Sequence, residues 1–126
     1  MKYYLLAFVA LSATSCLNVG PDSCNTTLLT PVTSVSGPKT IAVNQTATYS
    51  LSYLPAGGCG TLANLTEQNS GNTRAISVNV NYTNCSCPTA AVPGQTTYTF
   101  QPTQAGTYYL KFVGINTYIV DTLVAQ

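Results

Sequence analysis

The sequence predicts an all-β fold, an antiparallel β-sandwich of seven or eight short strands that follows an N-terminal signal segment. Two segments show strict period-two alternation. In 46–53, Ala47, Tyr49, Leu51 and Tyr53 alternate with Thr46, Thr48, Ser50 and Ser52. In 75–82, Ile76, Val78, Val80 and Tyr82 alternate with Ser77, Asn79 and Asn81. Each has one apolar face and one hydrated face, the mark of antiparallel sheets rather than a buried parallel one. No segment carries apolar residues at the three- and four-residue spacing of a helix.

Shorter strands are predicted at 31–36, 40–43, 61–67, 96–101, 107–113 and 117–125. Turn chemistry separates them: Ser36-Gly37-Pro38, Val43-Asn44-Gln45, Pro55-Ala56-Gly57-Gly58, Asn69-Ser70-Gly71-Asn72, Pro93-Gly94, Gln104-Ala105-Gly106 and Gly114-Ile115-Asn116. Glycine, proline and asparagine each end a strand by adopting backbone angles or withholding donors that a ladder does not accept. Strands at this spacing suggest two packed sheets over residues 31–126.

Before that domain, Lys2 precedes the apolar run Tyr4–Leu11, and small residues lead into Cys16. Charged, then apolar, then small is the order of a secretory signal peptide, assigned to residues 1–15. The run is far short of the roughly 20 residues of a membrane-spanning helix. Ala13-Thr14-Ser15-Cys16 resembles the bacterial lipobox, in which the cysteine thiol receives a diacylglycerol, although Ala13 stands where leucine is commonest. An ordinary signal peptidase also accepts Ala13 and Ser15, which would make a freely secreted protein. Cysteine parity favours the lipid. Acylating Cys16 leaves four of five cysteines, an even set for an oxidising compartment. Residues 16–30, rich in Gly, Pro, Asp, Asn and Thr, read as the tether of this lipid anchor.

Composition narrows the function. Beyond residue 15, Lys39, Arg74 and Lys111 balance Asp22, Glu67 and Asp121, so no basic patch exists for nucleic acid. Histidine is absent, which removes the commonest general base and metal ligand. The three carboxylates are scattered, each with an ordinary place at a strand end or surface, so the expectation is a non-enzyme with no cofactor.

The four remaining cysteines allow three pairings. Direct Cys85–Cys87 pairing would close a strained ring. A hairpin of 61–67 with 74–83, turning at Asn69–Asn72, brings Cys59 close to Cys85. The favoured set is therefore Cys59–Cys85 with Cys24–Cys87; the alternative is Cys24–Cys85 with Cys59–Cys87. Zinc is disfavoured because structural sites carry C-x₂₋₄-C pairs and this chain has a single C-x-C.

Gln104-Ala105-Gly106-Thr107-Tyr108-Tyr109-Leu110 is similar to the start of strand F in immunoglobulin-like domains. The resemblance implies that Gly106 allows the tight turn and that Tyr108 folds its hydroxyl back onto it, a tyrosine corner. Two features depart from that family: Leu110 stands where a cysteine is usual, and tryptophan is absent. With Cys16, Gly58-Cys59-Gly60, Cys85-Ser86-Cys87 and the run 97–112, the chain resembles small lipoproteins of Gram-negative bacteria with a divergent immunoglobulin-like sandwich. That resemblance implies a cell-envelope location, on the outer membrane or cell surface, and no particular activity.

Three surface signals complete the reading. Asn25, Asn44, Asn64, Asn81 and Asn84 each begin an N-x-S/T triplet, which such an Asn- and Thr-rich chain produces by chance and which would matter in a eukaryotic secreted glycoprotein. Asp121-Thr122-Leu123 is similar to a bacterial O-glycosylation motif that would modify Thr122; otherwise it is a plain last strand with Asp121 facing solvent. Tyr109 points outward if Tyr108 points inward, and outward tyrosines at 109 and 118 could hold a protein or a sugar. No cluster of exposed aromatics is visible in the sequence, which favours packing of Tyr109 against a cross-strand neighbour. The expectation is a structural or protein-interaction module on a lipid anchor, with a glycan- or peptide-binding module as the alternative.

Overall fold

A computed structural model describes residues 25–83 and 87–126. They form nine strands in two facing sheets, a β-sandwich with no helix among the described residues. The strands are β1 (Thr26–Thr30), β2 (Val32–Ser36), β3 (Thr40–Ile41), β4 (Ala47–Tyr53), β5 (Gly60–Ser70), β6 (Thr73–Tyr82), β7 (Gly94–Phe100), β8 (Gly106–Val113) and β9 (Tyr118–Ala125). β2, β4 and β7 make the smaller sheet, in that order. In the larger one, β5 pairs with β6 along its full length, while β1 and β8 share the other edge of β6; β9 and β3 follow β8.

Three features differ from the sequence-based expectation. Residues 26–30 are not tether but strand β1, antiparallel to β6, and the chain changes sheets at Pro31. The strand count is accordingly nine. The pairing is not wholly antiparallel: β6 runs parallel to β8 and β3 parallel to β9. The β5–β6 connection is the expected hairpin, with Ser70 opposite Thr73. Its two-residue turn has Gly71 at φ 57°, the positive φ that the first central position of a type II′ turn requires.

The inward residues of both sheets pack as expected from their alternation. Tyr49, Leu51, Ile76, Val78, Val80, Leu110, Phe112 and Leu123 are almost fully buried. With no tryptophan, tyrosine supplies much of the core area, and four rings carry their hydroxyls out to a partner at the rim. Tyr49 donates to the Pro38 carbonyl (2.9 Å), Tyr98 to the Glu67 carboxylate (2.7 Å) and Tyr108 to the Gln104 carbonyl (2.8 Å); the Tyr82 hydroxyl accepts from the Ala56 amide (2.7 Å). Burial, and secondarily the charge of Asp121, pushes the Tyr49 hydroxyl up to about 12. Burial and then the Glu67 hydrogen bond push Tyr98 higher still.

The disulfide pairing is corrected. Cys59 is bonded to Cys87, not Cys85, with their Cα atoms 5.3 Å apart. Pro88 lies on the β4–β5 turn, where the Gly58 amide donates to its carbonyl (2.9 Å), and Cys87 sits beside Cys59. Cys16, Cys24 and Cys85, with the lipid-attachment and second-disulfide assignments, lie outside the described residues, as does the signal segment.

Candidate interaction surface

Because the two sheets bury their inner faces against each other, any recognition surface lies on an outer face, an edge or a loop. The outer faces differ in chemistry. On the smaller sheet, Ser34, Ser52 and Gln95 form one row, Ser36, Ser50 and Thr97 a second, and Thr48 and Thr99 a third. All of these outward residues are polar. A shallow depression of about 260 Å³ lies on it, lined in part by Ser50, Ser52, Gln95 and Thr97.

The larger sheet is different where β8 pairs with β9. Their register sets Thr107 opposite Val124, Tyr109 opposite Thr122, Lys111 opposite Val120 and Val113 opposite Tyr118. Alternation turns all eight outward, since Tyr108, Leu110, Phe112, Asp121, Leu123 and Ala125 are the buried set. Tyr109 (45% exposed), Tyr118 (52%), Val120 (52%) and Val124 (38%) thus share one face. The Lys111 ammonium lies 6.0 Å from the centre of the Tyr118 ring, within cation–π range. This is the clustering that the linear sequence did not display, because it depends on the β8–β9 register.

No carboxylate from β5, β8 or β9 joins this face. Asp121, expected to face solvent, is buried instead, sharing the inner face of β9 with Leu123 and Ala125. Lys39, beside β3, forms its ion pair. Glu67 also turns inward, to Tyr98 and to Arg74 at 3.5 Å, and the Arg74 guanidinium lies 5.4 Å from the centre of the Phe100 ring. Glu67 and Asp121 therefore occupy separate ion pairs. No group of three or more His, Cys, Asp or Glu residues among those described could hold a metal ion.

Of the residues singled out from the sequence, Gly106 and Tyr108 sit together at the β7–β8 corner. Gly106 has φ 149°, a conformation that side-chain-bearing residues rarely adopt, and the Tyr108 hydroxyl bonds back to Gln104. Thr122 is exposed in the middle of the β8–β9 face, opposite Tyr109.

Residues 50–123, from within β4 to within β9, match the family model of the ORF11 β-sandwich domain. The chain belongs to that family. No curated protein and no solved structure matches the chain. The ORF11 domain match takes in both tyrosines of the exposed face, Val120 and the Tyr108 corner, and ends one residue before Val124. Strands β1 to β3 precede it.

Proposed function

We propose that this ORF11-domain protein is a non-enzymatic lipoprotein of a bacterial cell envelope, tethered through Cys16, whose sandwich docks a protein partner on the outer face of β8 and β9. The observation that carries the docking surface is the grouping of Tyr109, Tyr118, Val120 and Val124 on one face, to which neither Glu67 nor Asp121 turns, while the opposite sheet presents hydroxyls. Exposed tyrosines offer large contact area at low side-chain entropy cost, as interface anchors do. The anchor rests on the signal-like residues 1–15, the lipobox-like segment and cysteine parity. A glycan partner is the second reading, supported by the two exposed tyrosine rings.

The test compares the intact chain with Tyr109→Ser/Val120→Ser in binding to fractionated envelope proteins and to a glycan array. Saturable binding to one protein fraction, lost in the variant, supports the proposal. Binding confined to a glycan moves the assignment to the second reading, and unchanged binding by the variant refutes the surface. Intact mass from the membrane fraction tests the anchor separately: an acyl-sized excess on Cys16 is expected, and a lipid-free mass contradicts it.

A further inference from the structure

Open sheets carry edges whose unpaired amides and carbonyls can accept another strand, and stable proteins guard them with bulges, prolines, short strands or inward charges. Six strands here carry an open edge, and four of them are guarded in one of these ways. β2 has a bulge after Val32. β3 has two residues, and β9, which β3 covers only at Val124 and Ala125, turns the charge of Asp121 inward. β5 has a bulge between Leu62 and Asn64 and the inward charge of Glu67. β1, of five residues, and β7, of seven, are not guarded, and β7 is the longer. Among the described residues it pairs with β4 alone, in unbroken register from Ala47↔Phe100 to Tyr53↔Gly94, with no charge or proline in its seven residues.

The space beside that edge has a floor. β7 lies over β6 and β8, with the Phe100 ring 5.0 Å from that of Tyr108 and Arg74 against Phe100. β5, the next strand of the larger sheet, is bridged to β7 by the Tyr98 hydroxyl at Glu67. On the inner face of β5, Leu62 stands opposite Val80 and Leu65 opposite Val78; Leu62 is 40% exposed and Leu65 partly so. A strand added to β7 would lie above these two leucines.

We infer that the free edge of β7, above Leu62 and Leu65, docks one extended segment of a partner protein, uncharged and with aliphatic side chains at alternate positions. The edge supplies main-chain hydrogen bonds and the floor reads every second side chain, as in β-strand addition. The absence of charge follows from the site: β7 has none, and Glu67 is already engaged by Tyr98 and Arg74. A second copy does not fit, because pairing β7 with β7 would drive its own six-stranded sheet into the overhanging β5. The site is separate from the β8–β9 face and does not depend on that reading.

The probe is a blocked seven-residue peptide alternating threonine and leucine, titrated into the full chain and followed by amide and methyl resonances. Two control peptides carry a central proline or lysine in place of leucine. Saturable shifts at the Gly94–Phe100 amides and the Leu62 and Leu65 methyls are expected, with slowed exchange of the outward β7 amides. The controls and Leu62→Lys should lose these shifts, while the thermal midpoint of that variant, changed at a half-exposed position, shows that it folds. Shifts at β2 or β5 backbone edges instead, or none at all, overturn the inference. So does prior protection of every β7 amide in the free chain, which would show the edge taken by the chain's own residues.

Discussion

Tyr108 serves the core and the corner before β8 at once. Its ring packs against Phe100 in the core, and its hydroxyl ties the Gln104 carbonyl at the corner before β8. Tyr108→Phe keeps the ring and removes the bond. The expected loss is about 0.5–1.5 kcal/mol in denaturant unfolding, with no change in slope. The buried tyrosines also predict an alkaline limit. Tyr49 and Tyr98 are both raised from an ordinary value near 10, Tyr49 to about 12. A raised folded-state value means that the native state holds these protons more tightly than the unfolded chain. Their contribution is therefore complete below about pH 10 and is lost as pH rises towards and beyond 12. Unfolding midpoints measured across that window should fall, and less steeply in Tyr49→Phe. The tyrosine corner could be read from six or seven consecutive residues because its interaction is local. The burial of Asp121 could not, since a single acid in a strand carries no sign of the lysine 82 positions earlier that meets it.

At the scale of elements, legibility followed the regularity of the alternation. β4 and β6 bury every second residue without exception in their central parts, and both were evident in the sequence. β5 was seen only in part. Its bulge adds Ala63 between Leu62 and Asn64, which shifts the alternation so that Leu65 and Glu67, not Asn64 and Thr66, face inward. β1 carries no period-two signal, because Leu28 and Leu29 are adjacent and so fall on opposite faces. Hairpin geometry extended past Tyr82 would put Cys85 near Cys59, but the β5–β6 pairing ends at Gly60↔Tyr82 and the partner is Cys87. Closing 28 residues between Cys59 and Cys87 restricts the unfolded chain substantially. Replacing both with serine should lower stability by about 3–4 kcal/mol in the loop-entropy description, read from denaturant unfolding.

Across the whole molecule, β3 and β9 join an early segment to the last strand. Parallel pairing, the bond from the Val124 amide to the Lys39 carbonyl (2.8 Å) and the Lys39–Asp121 ion pair all act at this seam. Lys39 is largely exposed while Asp121 is 5% exposed, so removing the lysine strands a buried carboxylate. Lys39→Met should therefore cost more than the ~1 kcal/mol of an exposed pair, approaching the ~3 kcal/mol of a buried one. Adding Asp121→Asn should recover part of that loss, which a double-mutant cycle measures. The sandwich as a class was legible because composition and alternation agree throughout the chain. The parallel β6–β8 pairing and the β8–β9 surface were not, because they arise from contacts between distant or registered strands.

In the docking proposed above, the β8–β9 face, and not the hydroxyl-bearing face behind it, meets the partner. Photocrosslinking residues placed singly at Tyr109, Val120, Ser50 and Thr97, in the native envelope, test it most directly. One discrete protein adduct is expected from positions 109 and 120, and none from 50 and 97. Adducts of equal strength from both faces, or none from positions 109 and 120, would contradict it.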